Sequence, residues 1–141
     1  VPPWSSDVNN ASLVLRVEWG LATVLLTGDA ERPAETDLLA ARLPLGAALL
    51  KVGHHGSRYA SSVPFLAGVG PRLALISVGA RNAFGHPTPA ALGRLAAAGA
   101  RIYRTDYDGA VEVGSDGDRL WVRRWANLRA APEEVLLRGA P

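Results

Sequence analysis

The feature that most constrains this chain is a run of apolar residues that ends in adjacent histidines. Residues 47–52 are apolar except for Lys51, and they lead directly into a Gly-His-His-Gly-Ser sequence that contains His54 and His55. A short apolar run of this kind is typical of a strand buried inside a sheet. Ligands of open α/β sheets bind outside the carboxyl ends of the strands, so a histidine pair at this position predicts a functional site.

Other strand ends carry residues of the same chemistry. Residues 23–26 form a second apolar run, closely followed by Asp29, and residues 73–77 form a third, followed by a loop that contains His86. Because the carboxyl ends of parallel strands meet at one edge of a sheet, we expect Asp29, His86 and the histidine pair to lie together. This combination predicts a metal centre. The chain has no cysteine, so the ligands would be nitrogen and oxygen atoms.

Composition indicates an ordinary globular domain. The chain has 141 residues, a length sufficient for a single domain with its own core. Hydrophobic residues make up 48% and charged residues 20%, as in soluble globular domains. We expect no signal peptide at its start, and no apolar run approaches the roughly 18 residues of a membrane span. The net charge of +2 is too small to establish nucleic-acid binding, although arginine supplies nearly all of the positive charge.

The order of predicted elements favours an α/β fold with a mixed sheet and flanking helices. We expect strands over residues 12–17, 22–26, 47–52, 73–77, 101–104, 110–113 and 120–125, and helices over residues 34–42, 61–66 and 88–99. Thr88 and Pro89 are typical of a helix start, and Asp108-Gly109 predicts a hairpin turn. Residues 1–125 are expected to form the domain, and residues 126–141 a tail that is a short helix or disordered.

Several motifs in fixed order then identify a family. They are Asn-Asn-Ala-Ser-Leu-Val-Leu at 9–15, Leu-Leu-Thr-Gly-Asp at 25–29, Leu-Lys-Val-Gly-His-His-Gly-Ser at 50–57, Ile-Ser-Val-Gly at 76–79, Asn82 with Gly-His-Pro at 85–87, and Tyr-Arg-Thr-Asp at 103–106 with Gly109. In this order they closely resemble the carboxyl-terminal metallo-β-lactamase-like domain of the ComEC/Rec2 family, the DNA-uptake channels of natural competence. The resemblance runs from about residue 9 to residue 113.

The resemblance implies a four-layer αββα sandwich, built from similar halves with a dinuclear metal site between them. Only the second half matches this chain. The His-x-His-x-Asp-His signature of the first half is absent, since the chain has 3 histidines in total. The chain is therefore expected to be either a fragment of a longer protein or a degenerate half, and its start without methionine favours the fragment.

The resemblance also implies roles for individual residues. Asp29 is expected to bridge the metals, and His86 to be the last metal ligand. Because neighbouring side chains at a strand end point to opposite faces, one of His54 and His55 should face the metals. It would be a metal ligand or, as we favour, a donor that stabilises charge and protonates the leaving oxygen. The other histidine would be buried and bonded to the backbone. Ser57 would contact phosphate or cap the next turn.

Asn10 stands where the superfamily often has a histidine ligand. If Asn10 is a ligand, the site should prefer Mn²⁺ or Mg²⁺ to Zn²⁺; the alternative is an Asx turn. Arg81 and Asn82 are candidates to position a phosphate. Several arginines could form a basic rim or belong to the solvated surface: Arg104, Arg119, Arg123, Arg124 and Arg129. The tryptophans could stack on bases or lie half-buried on strands: Trp19, Trp121 and Trp125.

These expectations converge on a metal-dependent phosphodiesterase or DNase. In the intact domain, Mn²⁺ or Zn²⁺ ions would activate water against single-stranded DNA and degrade the strand that is not imported. By resemblance, the domain belongs to a longer membrane protein and lies at the extracytoplasmic face of the bacterial cytoplasmic membrane, beside the channel portion. This segment itself is expected to be soluble, without membrane insertion and with weak or absent catalysis in isolation. The alternatives are another phosphoester hydrolase, such as a phosphorylcholine esterase, and a non-catalytic half that docks on a channel or binds DNA.

Overall fold

Two β-sheets and a layer of helices make up the architecture of the computed structural model, which describes residues 8–127 and 130–137. The larger sheet has the order β1-β2-β3-β4-β5, in which β1 is antiparallel to β2 and the other neighbours are parallel. Its strands are β1 (Leu15–Trp19), β2 (Ala22–Leu26), β3 (Leu49–Lys51), β4 (Leu73–Ile76) and β5 (Arg101–Arg104). The predicted α/β fold with a mixed sheet and flanking helices is confirmed.

The smaller sheet is antiparallel, and the helices connect the strands of the larger one. The sheet consists of β6 (Val111–Ser115), β7 (Arg119–Arg124) and β8 (Glu133–Leu136), in that order. The helices are α1 (Arg32–Ala40), α2 (Val63–Val69), α3 (Pro89–Ala97) and the single turn α4 (Thr105–Asp108). As predicted, Thr88 caps α3, since its side chain accepts a hydrogen bond from the Ala91 amide.

The central strands of the larger sheet are buried on both faces, whereas its edge strand β1 is mostly exposed. On one face, Leu50 packs in a cluster with Phe65 of α2 and Leu95 of α3. On the other face, Leu49 and Leu73 belong to a second cluster that includes Leu120 and Val122 of β7. Ala22 and Tyr103 complete the buried members of this cluster. Burial on both faces explains why β3 and β4 read as nearly continuous apolar runs instead of alternating ones.

The segment after β5 differs from the sequence prediction. Asp108-Gly109 does not form a hairpin turn, because residues 105–108 form α4 and the chain then passes to the other sheet. Asp108 stabilises this helical turn by accepting a hydrogen bond from the Arg104 amide at 2.8 Å. The hairpin turn lies between β6 and β7 instead, where Asp116 Oδ1 accepts from the Asp118 amide at 3.0 Å.

The expected tail also contains a strand. Within residues 126–141 the sequence predicts a short helix or disorder, whereas β8 pairs with β7 in the structure. Residues 128–129 and 138–141 lie outside the described part of the chain. Val135 of β8 packs against the second apolar cluster, and this tertiary contact explains why Pro132-Glu133-Glu134 does not begin a helix.

The end of the larger sheet opposite the histidines is joined to the smaller sheet. The Leu21 amide donates to the Gly117 carbonyl at 2.6 Å, so the β1–β2 and β6–β7 turns touch. Trp19 lies at this end and is 67% exposed. Across residues 8–127 and 130–137, no helix combines the length and the apolar character needed to cross a membrane.

Candidate catalytic and metal-binding site

The carboxyl ends of three parallel strands bring the candidate residues together. Asp29 follows β2, His54 and His55 follow β3, and His86 lies in the loop after β4. The His54 ring centroid lies 5.5 Å from that of His86 and 6.2 Å from that of His55. His55 Nε2 lies 3.7 Å from Asp29 Oδ1. The side chains that the strand ends predict as neighbours are thus neighbours in the structure.

The turn that carries His54 and His55 has an unusual backbone. His54 has φ 44° and ψ 46°, and His55 has φ 53° and ψ 24°, so both lie in the left-handed region. The expected alternation of side chains at a strand end does not apply to such a turn. Neither imidazole is buried, since 27% of the His54 side chain and 48% of the His55 side chain are exposed. Both rings therefore border the same site.

The flanking glycines allow this turn to fit between its neighbours. A Cβ atom on Gly53 would lie 2.5 Å from the Ala30 carbonyl oxygen. A Cβ atom on Gly56, which has φ +83°, would lie 2.6 Å from Pro87 Cβ. The backbone of the histidine turn is thus in direct contact with the segment after Asp29 on one side and the segment after His86 on the other. Close approach is the physical reason for glycine at both positions.

Glu31 is a site residue that the sequence reasoning missed. Its Oε1 atom lies 2.9 Å from His54 Nδ1 and accepts a hydrogen bond from Ser57 Oγ at 2.7 Å. Because a carboxylate accepts hydrogen bonds, His54 donates through Nδ1–H, and Nε2 is directed to other partners. The side chain of Glu31 is only 12% exposed. The sequence could have indicated Glu31 as a site residue, because it is a second carboxylate only two positions after Asp29.

His55 is oriented by the backbone instead of a carboxylate. Its Nδ1 atom lies 2.7 Å from the Ser77 carbonyl oxygen, which can only accept, so Nδ1 carries the proton in this contact. Nε2 is then the nitrogen that faces Asp29. A histidine whose second nitrogen donates to a carbonyl is a common arrangement around metal ligands. With Nδ1 held by the carbonyl, His55 can offer Nε2 to a cation.

Asn82 braces the loop that presents His86. Its side-chain nitrogen donates to the His86 carbonyl at 2.8 Å, and its Oδ1 accepts from the His86 amide at 3.1 Å. Partial burial lowers the pKa of His86, and the neighbouring His54 and His55 lower it further, while Glu31 acts in the opposite direction. These effects favour the neutral ring of His86, which is the form that binds a metal.

The remaining predicted site residues have structural neighbours of their own. Asn10 Oδ1 accepts from the amides of Glu31 and Ala34 at 3.2 and 3.3 Å, so it supports the start of α1. Ser57 Oγ binds Glu31 and also accepts from the Tyr59 amide at 3.2 Å. Arg81 is exposed on the loop that precedes His86.

Lys51 is a second residue near the site that the sequence reasoning left without a role. Its Nζ donates to the Val52 carbonyl at 2.9 Å. Burial lowers the pKa of Lys51, and the negative charge of Asp29 acts against that shift. The chain's single lysine therefore places a positive charge within electrostatic reach of the Asp29 carboxylate.

The donor chemistry suits a divalent cation, but the set is incomplete. Asp29, His55 and His86 offer oxygen and nitrogen donors of the kind that Mn²⁺ and Zn²⁺ accept. Over the described residues, however, no group of three or more such side chains is close enough to hold a metal ion. A metal at this place would need further donors.

A basic rim is not apparent among the predicted arginines that the structure describes. Arg104 pairs with Asp106 at 2.6 Å, and Arg119 with Asp116 at 2.9 Å. Arg124 pairs with Glu133 at 2.7 Å. Arg123 is exposed, and Arg129 lies outside the described residues. Most of the positive charge in this set is thus balanced by adjacent carboxylates.

Comparison with known proteins relates the chain to competence proteins. It is 42% identical over 109 residues to "Competence protein ComA" of Neisseria gonorrhoeae, covering 77% of this chain and 16% of that protein. It is 36% identical over 110 residues to "ComE operon protein 3" of Bacillus subtilis, covering 78% of this chain and 14% of that protein. It is also 36% identical over 116 residues to "Recombination protein 2" of Haemophilus influenzae, covering 82% of this chain and 14% of that protein.

The matched region is a small part of each relative, between 14% and 16% of its length. No family model matches the chain, and no solved structure is significantly similar to it. Over more than three quarters of its length, the chain is therefore a homologue of one segment of these competence and recombination proteins, which supports its place in the ComEC/Rec2 family.

Proposed function

We propose that this chain forms part of a metal-dependent phosphodiesterase, acting on DNA in a ComEC/Rec2-type uptake protein. The observation that carries the proposal is the meeting of Asp29, His54, His55 and His86 at the carboxyl edge of β2, β3 and β4, with Glu31 behind them. The homology to competence proteins supports DNA as the substrate. The second half of a metallo-β-lactamase-like sandwich is the fold we propose for it, in agreement with the layers of helices and sheets.

Asp29 and His86 are the residues that would contribute ligands to a divalent metal, and His55, whose Nε2 lies 3.7 Å from Asp29 Oδ1, is a further candidate. Donors from outside the described residues would have to complete the set. When bound, such metals supply Lewis-acid stabilisation of the phosphate charge and lower the pKa of an attacking water. We propose that the further donors come from another segment of a longer protein, since the relatives are several times longer than the aligned region. That longer protein would lie in the cytoplasmic membrane, with this segment at its extracytoplasmic face and beside its channel portion.

The residues of this chain would then transfer a proton to the leaving oxygen and orient the substrate. Glu31 holds His54 through Nδ1–H, so that Nε2 is the atom available to exchange a proton with the leaving oxygen. The same carboxylate orients Ser57, whose hydroxyl also borders the histidine turn. Lys51 adds positive charge behind Asp29, which favours an anionic substrate at this edge of the sheet.

The test is metal content and DNase activity of the longer protein in the presence of Mn²⁺ or Zn²⁺, beside the Asp29→Ala variant. We expect bound metal and cleavage in the wild type, and a loss of cleavage by at least about 100-fold in the variant, since even residues that only support metal ligands cost 10- to 100-fold. Asp37→Ala is the matched control, because Asp37 is an exposed aspartate on α1. Cleavage that is equally fast without Asp29 would overturn the proposal.

A second candidate is a non-catalytic half domain that binds DNA or docks on the channel. The incomplete donor set of the described residues is the observation that favours it. This candidate predicts DNA binding that survives the loss of Asp29 and His86, in a protein that takes up no metal and cleaves nothing. The same measurement on the Asp29→Ala and His86→Ala variants thus separates the two candidates.

A further inference from the structure

A cavity of about 450 Å³ opens directly beside the candidate catalytic residues. His55 and His86 form one wall, and the chain around Val78, with Phe84 and Thr105, forms the rest. Its volume lies within the range of small-molecule sites, which is about 300 to 1,000 Å³. The cavity therefore has room for a group attached to the phosphate that the histidines would face.

The Thr105 and Asn82 side chains at this cavity are already engaged in hydrogen bonds. Thr105 Oγ1 donates to the Val78 carbonyl at 2.8 Å and accepts from the Val78 amide at 2.7 Å. The Asn82 side chain is used on both of its polar atoms within its own loop. His55 Nδ1 is used by the Ser77 carbonyl. Thr105 and Asn82 are therefore not free to form hydrogen bonds with the edge of a base.

An aromatic ring stands at the mouth of the cavity. Phe84 is 81% exposed, and its ring centroid lies 6.1 Å from that of His86 with an interplanar angle of 32°. The ring is not on a loose loop, because the Phe84 amide donates to Asn82 Oδ1 at 3.2 Å. An exposed apolar ring on a braced backbone is an arrangement that stacking on a flat partner would stabilise.

The charge around the cavity suits an anionic ligand. None of the described residues that line it is an aspartate or a glutamate. Arg81, three positions before Phe84, is exposed, and no ion pair within residues 8–127 and 130–137 involves it. The lining itself thus places no carboxylate against a phosphate, and the Arg81 guanidinium is the nearest unpaired cation along this loop.

We propose that this cavity and Phe84 form a subsite for an unpaired nucleobase next to the scissile phosphodiester, held by stacking without recognition of which base it is. The inference rests on the proposed phosphodiesterase function and names the part of this chain that would hold one base of its substrate. Engaged polar groups explain the lack of base selection, since stacking is tolerant of sequence while hydrogen-bonded readout is not. Paired bases would not reach Phe84, because they are stacked inside the duplex.

The experiment measures the binding of a fluorescent oligothymidylate to the protein by anisotropy, with EDTA present to prevent cleavage. The comparison ligand is an abasic oligonucleotide of the same length and charge. We expect Phe84→Ala to weaken oligothymidylate binding by at least about fivefold, because stacking of a base on an aromatic side chain contributes about 1 to 3 kcal/mol. Phe84→Trp should retain the affinity, and Phe84→Leu should lose most of it. Oligoadenylate should bind as oligothymidylate does.

The matched control is Trp19→Ala, which removes another exposed aromatic ring at the opposite end of the sheet. It should leave binding unchanged. The subsite is overturned if the wild type binds the abasic and base-containing ligands equally well, or if Phe84→Ala does not change the affinity. Neither result affects the prediction that cleavage depends on Asp29. A different outcome is binding that depends on the base and on Phe84 while DNA cleavage is as fast in Asp29→Ala as in the wild type. That outcome would support the subsite and overturn the proposed phosphodiesterase site.

Discussion

Glu31 Oε1 lies 2.9 Å from His54 Nδ1, and this contact decides which nitrogen of the ring faces the site. The carboxylate belongs to the segment between β2 and α1, whereas the imidazole belongs to the turn after β3. The parallel pairing of β2 with β3 brings them together, so the orientation of the histidine depends on the register of the sheet.

We expect Glu31→Ala to reduce cleavage by about 10- to 100-fold, because supporting partners of site histidines typically contribute that much. Glu31→Gln should recover part of the activity, since an amide oxygen can still accept from His54. Nitrogen NMR of the His54 ring is the direct measurement: the wild type should carry the proton on Nδ1, and the alanine variant should lose that preference. Glu112→Ala is the control, because Glu112 is an exposed glutamate on β6. A proton that stays on Nδ1 without Glu31 would contradict this prediction.

Alanine at Gly53 should destabilise the protein. The added Cβ would lie 2.5 Å from the Ala30 carbonyl oxygen, so the backbone beside Asp29 would have to move. We expect a loss of about 1 to 3 kcal/mol in the free energy of unfolding, as for other substitutions that add atoms to a filled site. Urea denaturation followed by circular dichroism measures it.

Gly93→Ala is the matched comparison for that substitution. Gly93 lies inside α3, and a Cβ there would meet nothing within 4 Å. Alanine has the higher helix propensity, so the free energy of unfolding should rise by up to about 1 kcal/mol. If both substitutions changed the free energy of unfolding equally, the histidine turn would not depend on the close approach of Gly53 to the Ala30 carbonyl.

Truncation of Glu35 should loosen the chain after the histidine turn. This carboxylate is 2% exposed and accepts from the amides of Ser61 and Ser62 at 2.5 and 2.9 Å. Glu35→Ala would leave buried donors unpaired, which costs about 1 to 3 kcal/mol. Hydrogen exchange at the Ser61 and Ser62 amides should become faster. Asp37→Ala, on the exposed side of the same helix, should change neither stability nor exchange at those amides.

His86 should remain neutral to lower pH than an ordinary histidine in the metal-free protein. Burial and the neighbouring histidines lower its pKa below the usual 6.5. Between the lowered pKa and 6.5, the unfolded chain binds more protons at this position, so the contribution of His86 to stability increases as pH rises through that window. Proton NMR titration of the ring measures the pKa, and His86→Asn should remove this part of the pH dependence. A midpoint above 6.5 would contradict the prediction.

Much of the fold was predictable because local pattern and burial agree. Leu49 and Leu50 are both buried, each on its own face of the sheet, so β3 reads as a continuous apolar run in the sequence. Thr88 and Pro89 begin α3 through local capping, which needs no distant partner. By contrast, β8 forms on a sequence that resembles a helix start, because β7 supplies the edge to which it pairs.

The sequence by itself determined that Asp29, His54, His55 and His86 follow strands, and therefore that they meet at one edge of a parallel sheet. Only the tertiary structure decided how they are used. Glu31 reaches His54 across 23 positions of the chain. Asn10 reaches the Glu31 amide across 21 positions. The physical reason is that strand patterns are local, whereas the hydrogen bonds that orient a side chain join segments whose distance is set by sheet register and packing.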